Sequence, residues 1–241
     1  YTGSPFECEP VARALRAQGM HVHVPCLPGH CQDRTAFIRT RFSDWLGAAE
    51  SSLRTLSKQG PCTLVGLSMG GSLALSLAQR YHLQAVVTIA APVFLYRFLP
   101  WRGASLLLPL VPVLRFLRPV IHVVPPIPEA RRIAPHAGYE GFQALHPLHS
   151  FMQGLKPLRR GLGRITAPVL VLHSPQDQTV PVENAWTIIS HVSSSMRRME
   201  LMSITEQVTT RHLLTTHQET QDWVQQTIIR FFRDIEVLNA G

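Results

Sequence analysis

Short apolar runs alternate with stretches of helical period along most of the chain. Val11 and Leu15, with Met20 beyond them, share one face of a helix that Gly19 closes, and residues 21–25 (HVHVP) alternate like a strand. Ser43 or Asp44 caps a helix that places Trp45, Leu46, Ala49, Leu53 and Leu56 on one face, and Gly60-Pro61 ends it. Residues 62–67 (CTLVGL) then form a compact apolar strand, 69–81 a helix, and 85–90 (AVVTIA) a second buried strand. Farther on, 168–173 (PVLVLH) predicts a strand, 182–191 a helix and 198–202 a strand. A closing helix follows over 215–232, with Trp223, Ile228 and Phe231 inside. Strands alternating with helices predict an α/β fold, a mostly parallel sheet covered by helices on both faces. Residues 92–164 break the alternation. They are expected to be an insertion, so that 1–91 and 165–241 are two parts of one core.

Composition supports one sizeable core. Of 241 residues, 45% are hydrophobic and only 16% charged, which excludes wholesale disorder. The most apolar stretch, 106–124, carries Arg115 and Arg118 and is broken by Pro109, Pro112 and Pro119, so no spanning helix is expected there. Cys8, Cys26, Cys31 and Cys62 show no CxxC spacing. Neither a disulfide scaffold nor a zinc ribbon is expected, and no metal or cofactor is called for. No charged-then-apolar leader is visible, and a cytoplasmic location is the expectation.

The formal charge of +8 is unevenly spread. Residues 92–164 hold nine Arg and Lys156 against Glu129 and Glu140, so this segment accounts for the whole imbalance. Basic residues interleaved with Leu, Val, Phe and Pro suit a lipid or other anionic surface. No zinc-finger, RRM or helix-turn-helix pattern accompanies them, and nucleic acid is not expected as a partner.

Chemistry enters at Gly66-Leu67-Ser68-Met69-Gly70-Gly71, a G-x-S-x-G pattern lying between a strand and a helix. A sharp turn there exposes the serine Oγ, the glycines two residues on either side, Gly66 and Gly70, let strand and helix approach without a Cβ clash, and the helix N-terminus offers the Met69 N–H to a developing oxyanion. Neither GxGxxG nor a Walker lysine is present, which disfavours a nucleotide loop. Serine needs a base, and the base an orienting carboxylate. Asp177 follows the strand 168–173 at the end where sites gather in such sheets. The order Ser, Asp, His requires the base after the last strand; His191, His212 and His217 are the candidates, and His191 precedes that strand. His191 sits at a helix end and His217 at the start of the closing helix. His212 lies in the loop between and is favoured.

These residues together resemble the α/β-hydrolase superfamily, and within it the cap-bearing carboxylesterases and monoacylglycerol lipases. Leu27-Pro28-Gly29-His30-Cys31 resembles that group's L-x-G-H-G loop, with Cys in place of the last Gly. Gly66 to Gly71 matches its G-L-S-M-G-G elbow, and His173 to Pro181 resembles its H-S-x-x-D-x-x-V-P acid loop. The residues before His212 are Thr210-Arg211 rather than the usual Ser-Gly, and the loop from Met202 is longer. Tyr1-Thr2-Gly3-Ser4-Pro5 resembles the tail of the family's oxyanion loop, so the resemblance implies that the Tyr1 N–H joins that of Met69. It also implies strands before Tyr1, one of them between 21–25 and 62–67, and hence that Tyr1 is an internal residue of a longer chain.

In that family the slot of residues 92–164 holds a lid. Trp101, Leu106 to Leu108, Leu110, Val113, Leu114, Phe116 and Leu117 either line an acyl tunnel or form the lid's own core. The expected function is a serine hydrolase acting on carboxylic esters of short to medium acyl chains, monoacylglycerols among them, with transient contact at a lipid interface. A thioesterase or amidase would use the same residues, and a non-catalytic lipid-binding protein is the rival of another class.

Overall fold

Two segments buried at every position form the middle of the sheet: β2 (Ala85–Ile89) and β3 (Val169–His173), flanked by β1 (Thr63–Leu67) and β4 (Arg197–Leu201). All four run parallel in the order β1-β2-β3-β4, with Gly66 beside Thr88, Ile89 beside Leu172 and Leu172 beside Glu200. This register brings the carboxyl ends of the strands to one edge. The computed structural model describes residues 1–98 and 101–240; Leu99 and Pro100 of the expected cap, and Gly241, lie outside the described residues.

Helices cover both faces, as expected for a parallel sheet. They are α1 (Glu9–Ala17), α2 (Phe42–Leu56), α3 (Met69–Ala78), α4 (Leu145–Arg160), α5 (Glu183–His191) and α6 (Gln221–Ala240). On one face, Trp45, Leu53, Leu73, Phe151 and Ile188 pack against Val86 and Val171. On the other, Val11, Leu15, Ile228 and Phe231 pack against Val87, Ile89 and Leu172. The period of two along each strand divides these sets between the faces.

The pattern missed in three places. Residues 21–25 join no ladder; they and β1 line the same open cavity, and β1 is one edge of the sheet among the described residues. Alternation marks a half-buried segment, and a strand needs in addition a neighbour at about 4.8 Å. The closing helix starts at Gln221, not 215, because residues 214–220 are wound in turns in which Thr220 Oγ1 donates to the Leu214 carbonyl at 2.7 Å. Cys26 and Cys31, finally, pair as a disulfide across a tight turn, a local staple rather than a scaffold, while Cys8 and Cys62 are free. A smaller difference concerns Asp44, which accepts from the Arg41 N–H at 2.8 Å from inside the first turn of α2.

The segment between β2 and β3 builds a small antiparallel pair, Val120–His122 with Phe142–Ala144, and short helices Val111–Leu117 and Pro128–Ile133. It is tied down at its far end: the Ala137 N–H donates to Glu7 Oε1 at 2.7 Å, Tyr139 N–H to the Thr2 carbonyl at 2.8 Å, and Gln218 N–H to the Ile133 carbonyl at 2.9 Å. Among the described residues no helix is long and apolar enough to cross a membrane.

Candidate active site

Ser68 stands between β1 and α3 with φ 51° and ψ −122°, a conformation costly for a residue with a side chain. Its neighbours enforce it. A Cβ on Gly66 would come within 2.2 Å of the Gly70 carbonyl carbon, and one on Gly71 within 2.5 Å of Ala91 Cβ. Only glycine at both positions lets the strand fold back on the helix this closely, and the Ser68 N–H is spent on the Ile89 carbonyl at 2.7 Å. The hydroxyl is left pointing at the cleft above the sheet.

Asp177 follows β3 and is buried. Its Oδ1 accepts from the Thr179 and Val180 amides at 2.7 and 2.9 Å, which leaves Oδ2 for imidazoles. His212 Nδ1–H donates to Oδ2 at 2.7 Å, and Ser68 Oγ–H donates to His212 Nε2 at 2.8 Å. An ionised carboxylate accepts only, so it places the imidazole proton on Nδ1 and frees Nε2 to accept. Burial pushes the Asp177 carboxyl up, but His212 and His173 beside it outweigh burial and hold it at about 2. The three expected residues thus meet from three different loops.

Other candidates fall elsewhere. His191 is exposed at the end of α5, with Nδ1 on the Thr187 carbonyl at 2.8 Å. His217 is buried in the turns before α6; its Nδ1 accepts from the Glu219 N–H at 3.1 Å, so its Nε2–H donates to Glu206 Oε1 at 3.0 Å. Glu206 escaped sequence reasoning, yet it braces the loop that bears His212. Its carboxylate takes the Val208 and Thr209 amides and the Thr209 hydroxyl, and the Arg211 Nε–H donates to its carbonyl at 2.8 Å. Burial raises the Glu206 carboxyl and these donors overcome it, down to about 2. Arg211 has φ 56°, which turns the chain into His212. His173 was noted only as part of a motif. It is wholly buried, with Nε2 3.0 Å from the Val180 carbonyl and 3.4 Å from Asp177 Oδ2, a second imidazole on the same carboxylate.

Tyr1, Met69, Ser68 and His212 line one cavity of about 1130 Å³. Tyr1 is held from several sides: its hydroxyl donates to the Ala144 carbonyl at 3.0 Å, its ring packs on Phe37, and its carbonyl meets His30 Nε2 at 2.7 Å. Burial lowers the His30 imidazole towards its neutral form. Val123, Val124, Ile127, Ala130 and Phe142 are among the residues that line the cavity, whereas none of 101–117 does, so of the two readings left open for that stretch the acyl tunnel falls away. Helix Val111–Leu117 buries only Val111 and turns Phe116 and Leu117, 68% and 72% exposed, to solvent. No group of His, Cys, Asp and Glu among the described residues is arranged to hold a metal.

A parallel sheet with a strained serine between strand and helix, and an acid loop and a histidine loop converging on it, defines an α/β-hydrolase. The profile of the serine aminopeptidase S33 family (Hydrolase_4) matches residues 7–205, and the chain belongs to this family. It is similar, at 28% identity over the whole chain and 89% of the relative, to a thermostable monoacylglycerol lipase of Bacillus sp. (strain H-257). Among solved structures it resembles one reported for the metagenome-derived lipolytic enzymes LipS and LipT (20% identity, TM-score 0.81, 97% of this chain and 90% of that one). A monoacylglycerol lipase of Paleococcus ferrophilus is also similar (16% identity, TM-score 0.75, 97% and 91%). At these identities the structural likeness speaks for the fold, and the fold is that of a hydrolase.

Proposed function

We propose that the chain is a lipase/esterase-like serine hydrolase that cleaves carboxylic esters of short to medium acyl chains, monoacylglycerols included, through an acyl-enzyme. The hydrogen-bonded line from Ser68 through His212 to Asp177 carries this reading. Ser68 Oγ attacks the ester carbonyl while His212 Nε2 takes its proton. The same proton goes to the departing alcohol, and water repeats the sequence on the acyl-enzyme. Asp177 holds the tautomer and balances the imidazolium. The Met69 amide at the start of α3 and the Tyr1 amide receive the oxyanion.

The apolar lining at Val123, Val124 and Ile127 suits an acyl chain, as the lipase relative would lead one to expect. The exposed apolar face of Leu107, Leu110, Val113, Phe116 and Leu117 lies beside Arg115 and Arg118, a combination fitted to transient contact with an anionic lipid interface. Ser68→Ala tests the reading. Ester hydrolysis should fall by a factor on the order of a thousand or more, and labelling by a fluorophosphonate should vanish, with the melting temperature unchanged. Retention of more than about a tenth of kcat would refute Ser68 as nucleophile.

A further inference from the structure

A disulfide closes the turn 26–31, which lies against the core beside the candidate site. Its ends, Cys26 and Cys31, have Cα atoms 6.1 Å apart, and both residues are exposed. Between them the His30 N–H donates to the Leu27 carbonyl at 3.0 Å, and Gln32 Oε1 accepts from the Gly29 N–H at 3.2 Å. Gly29 has φ 80°, and a Cβ there would stand 2.7 Å from Phe37 Cα, so the turn is pressed against the core.

Three tethers leave this turn. Trp45 Nε1–H donates to the Pro28 carbonyl at 3.0 Å, and the Tyr139 hydroxyl reaches the Gly29 carbonyl at 2.6 Å. The third runs to the site. With His30 held towards neutrality by burial, one ring nitrogen carries a proton. The shorter contact, 2.7 Å from Nε2 to the Tyr1 carbonyl, claims it, since the Pro28 carbonyl 3.2 Å from Nδ1 already has the Trp45 donor. His30 thereby fixes the peptide that follows the Tyr1 amide.

We propose that the Cys26–Cys31 pair is a redox clip: its closure holds the His30 turn and, through the Tyr1 carbonyl, the oxyanion-binding backbone, so the thiol or disulfide state of the pair sets the turnover rate. The inference rests on the serine hydrolase reading given above. Closure is an exchange with a small-molecule disulfide such as oxidised glutathione. The Cys26 or Cys31 thiolate attacks it and releases one thiolate, and the second cysteine displaces the other sulfur from the mixed disulfide. Two protein thiols are oxidised, one external disulfide is reduced, and the two protons pass to the released thiolates. Exposure of both cysteines gives such reagents access. The free Cys8 thiol, pushed up to about 11 by burial and by Glu7 and Glu9, is a poor competitor.

The test equilibrates the whole chain in glutathione buffers of graded poise. Thiols are counted and peptides mapped, and kcat, KM and melting temperature are measured on p-nitrophenyl butyrate at each poise, beside Cys26→Ser and Cys31→Ser. The expected result is loss of two thiols on oxidation, mapped to Cys26 and Cys31. Reduction should lower kcat by roughly threefold to tenfold with KM little changed, a fraction of what losing a whole oxyanion donor costs. It should lower the melting temperature by roughly 5 °C, as opening a short loop does. Both serine variants should stay at the reduced level at every poise. If Cys26 and Cys31 remain thiols, or pair elsewhere, the clip is refuted. If it opens and closes while kcat stays constant in an active enzyme, its coupling to the site is refuted. Absence of turnover in both states, with the clip cycling, overturns the hydrolase reading and the coupling with it.

Discussion

Replacing Asp177 by Asn keeps the side chain's size and removes its charge. Asp177 Oδ1 is committed to the Thr179 and Val180 amides, so an Asn that keeps those bonds must turn its NH2 towards His212. Donor then faces donor. The imidazole escapes by moving its proton from Nδ1 to Nε2, where it no longer accepts from Ser68, and a loss in kcat of about ten-thousandfold is expected for the wrong tautomer. Stability follows from the carboxyl itself, which stands at about 2 in the folded chain against 3.8 for the free group. A group with a lowered folded value contributes stability that is complete above its unfolded value and is lost as pH falls through the folded one. The difference corresponds to stability on the order of 2 kcal/mol, present at pH 5 and vanishing towards pH 2. Turnover of p-nitrophenyl butyrate and urea unfolding between pH 2 and 5 measure both effects. A kcat loss under about tenfold would refute the tautomer argument. A stability gap between wild type and variant that stays constant from pH 5 to pH 2 would refute the account of the buried carboxylate.

Four further variants probe the site and its surroundings. His212→Ala should cost as much activity as loss of the serine. His217→Ala should chiefly lower the melting temperature by undoing the Glu206 brace, and His191→Ala should do neither; an inactive His191→Ala enzyme with a normal melting curve would overturn the choice of base. Val124→Ala combined with Ile127→Ala should lower kcat/KM for octanoyl esters by about tenfold while sparing acetyl esters, since each buried methylene contributes up to roughly 0.8 kcal/mol. Equal losses along a p-nitrophenyl ester series would show that this wall does not hold the acyl chain.

What could be foreseen from the chain, and what could not, divides along a physical line. The strands 85–90 and 168–173 were legible because a segment buried on both faces must be apolar throughout, and the observed β2 and β3 are buried at every position. Ser68 was legible because the close approach of β1 and α3 demands glycine at 66, which leaves a mark in sequence; the second glycine it demands is Gly71 rather than the Gly70 of the G-x-S-x-G pattern, where a Cβ would meet nothing within 4 Å. Asp177 and His212 were placed by their order after particular strands, and the structure brings them within hydrogen-bond reach of each other and of Ser68. Residues 21–25 misled because alternation reports burial of one side and says nothing of a partner for the backbone. The start of α6 was not legible: Thr215, Thr216 and His217 are buried in turns, and the helix begins only at Gln221.

Glu206 and the Cys26–Cys31 pair went unseen for a deeper reason. Each acts on the site through chain segments that only the fold brings near, Glu206 through the loop before His212 and the cysteines through a turn whose imidazole meets Tyr1. Neither forms part of a periodic face, and neither touches Ser68. Their importance comes from what they restrain. His212 rides on a loop whose approach includes Arg211 at positive φ, and such a loop keeps its shape only if its amides are satisfied. One carboxylate accepting two amides and a hydroxyl, and itself anchored by a buried His217, meets that need. On the proposed mechanism reacting groups must be held to within about half an ångström to be effective, so Glu206 acts as a positioning residue for the His212 loop.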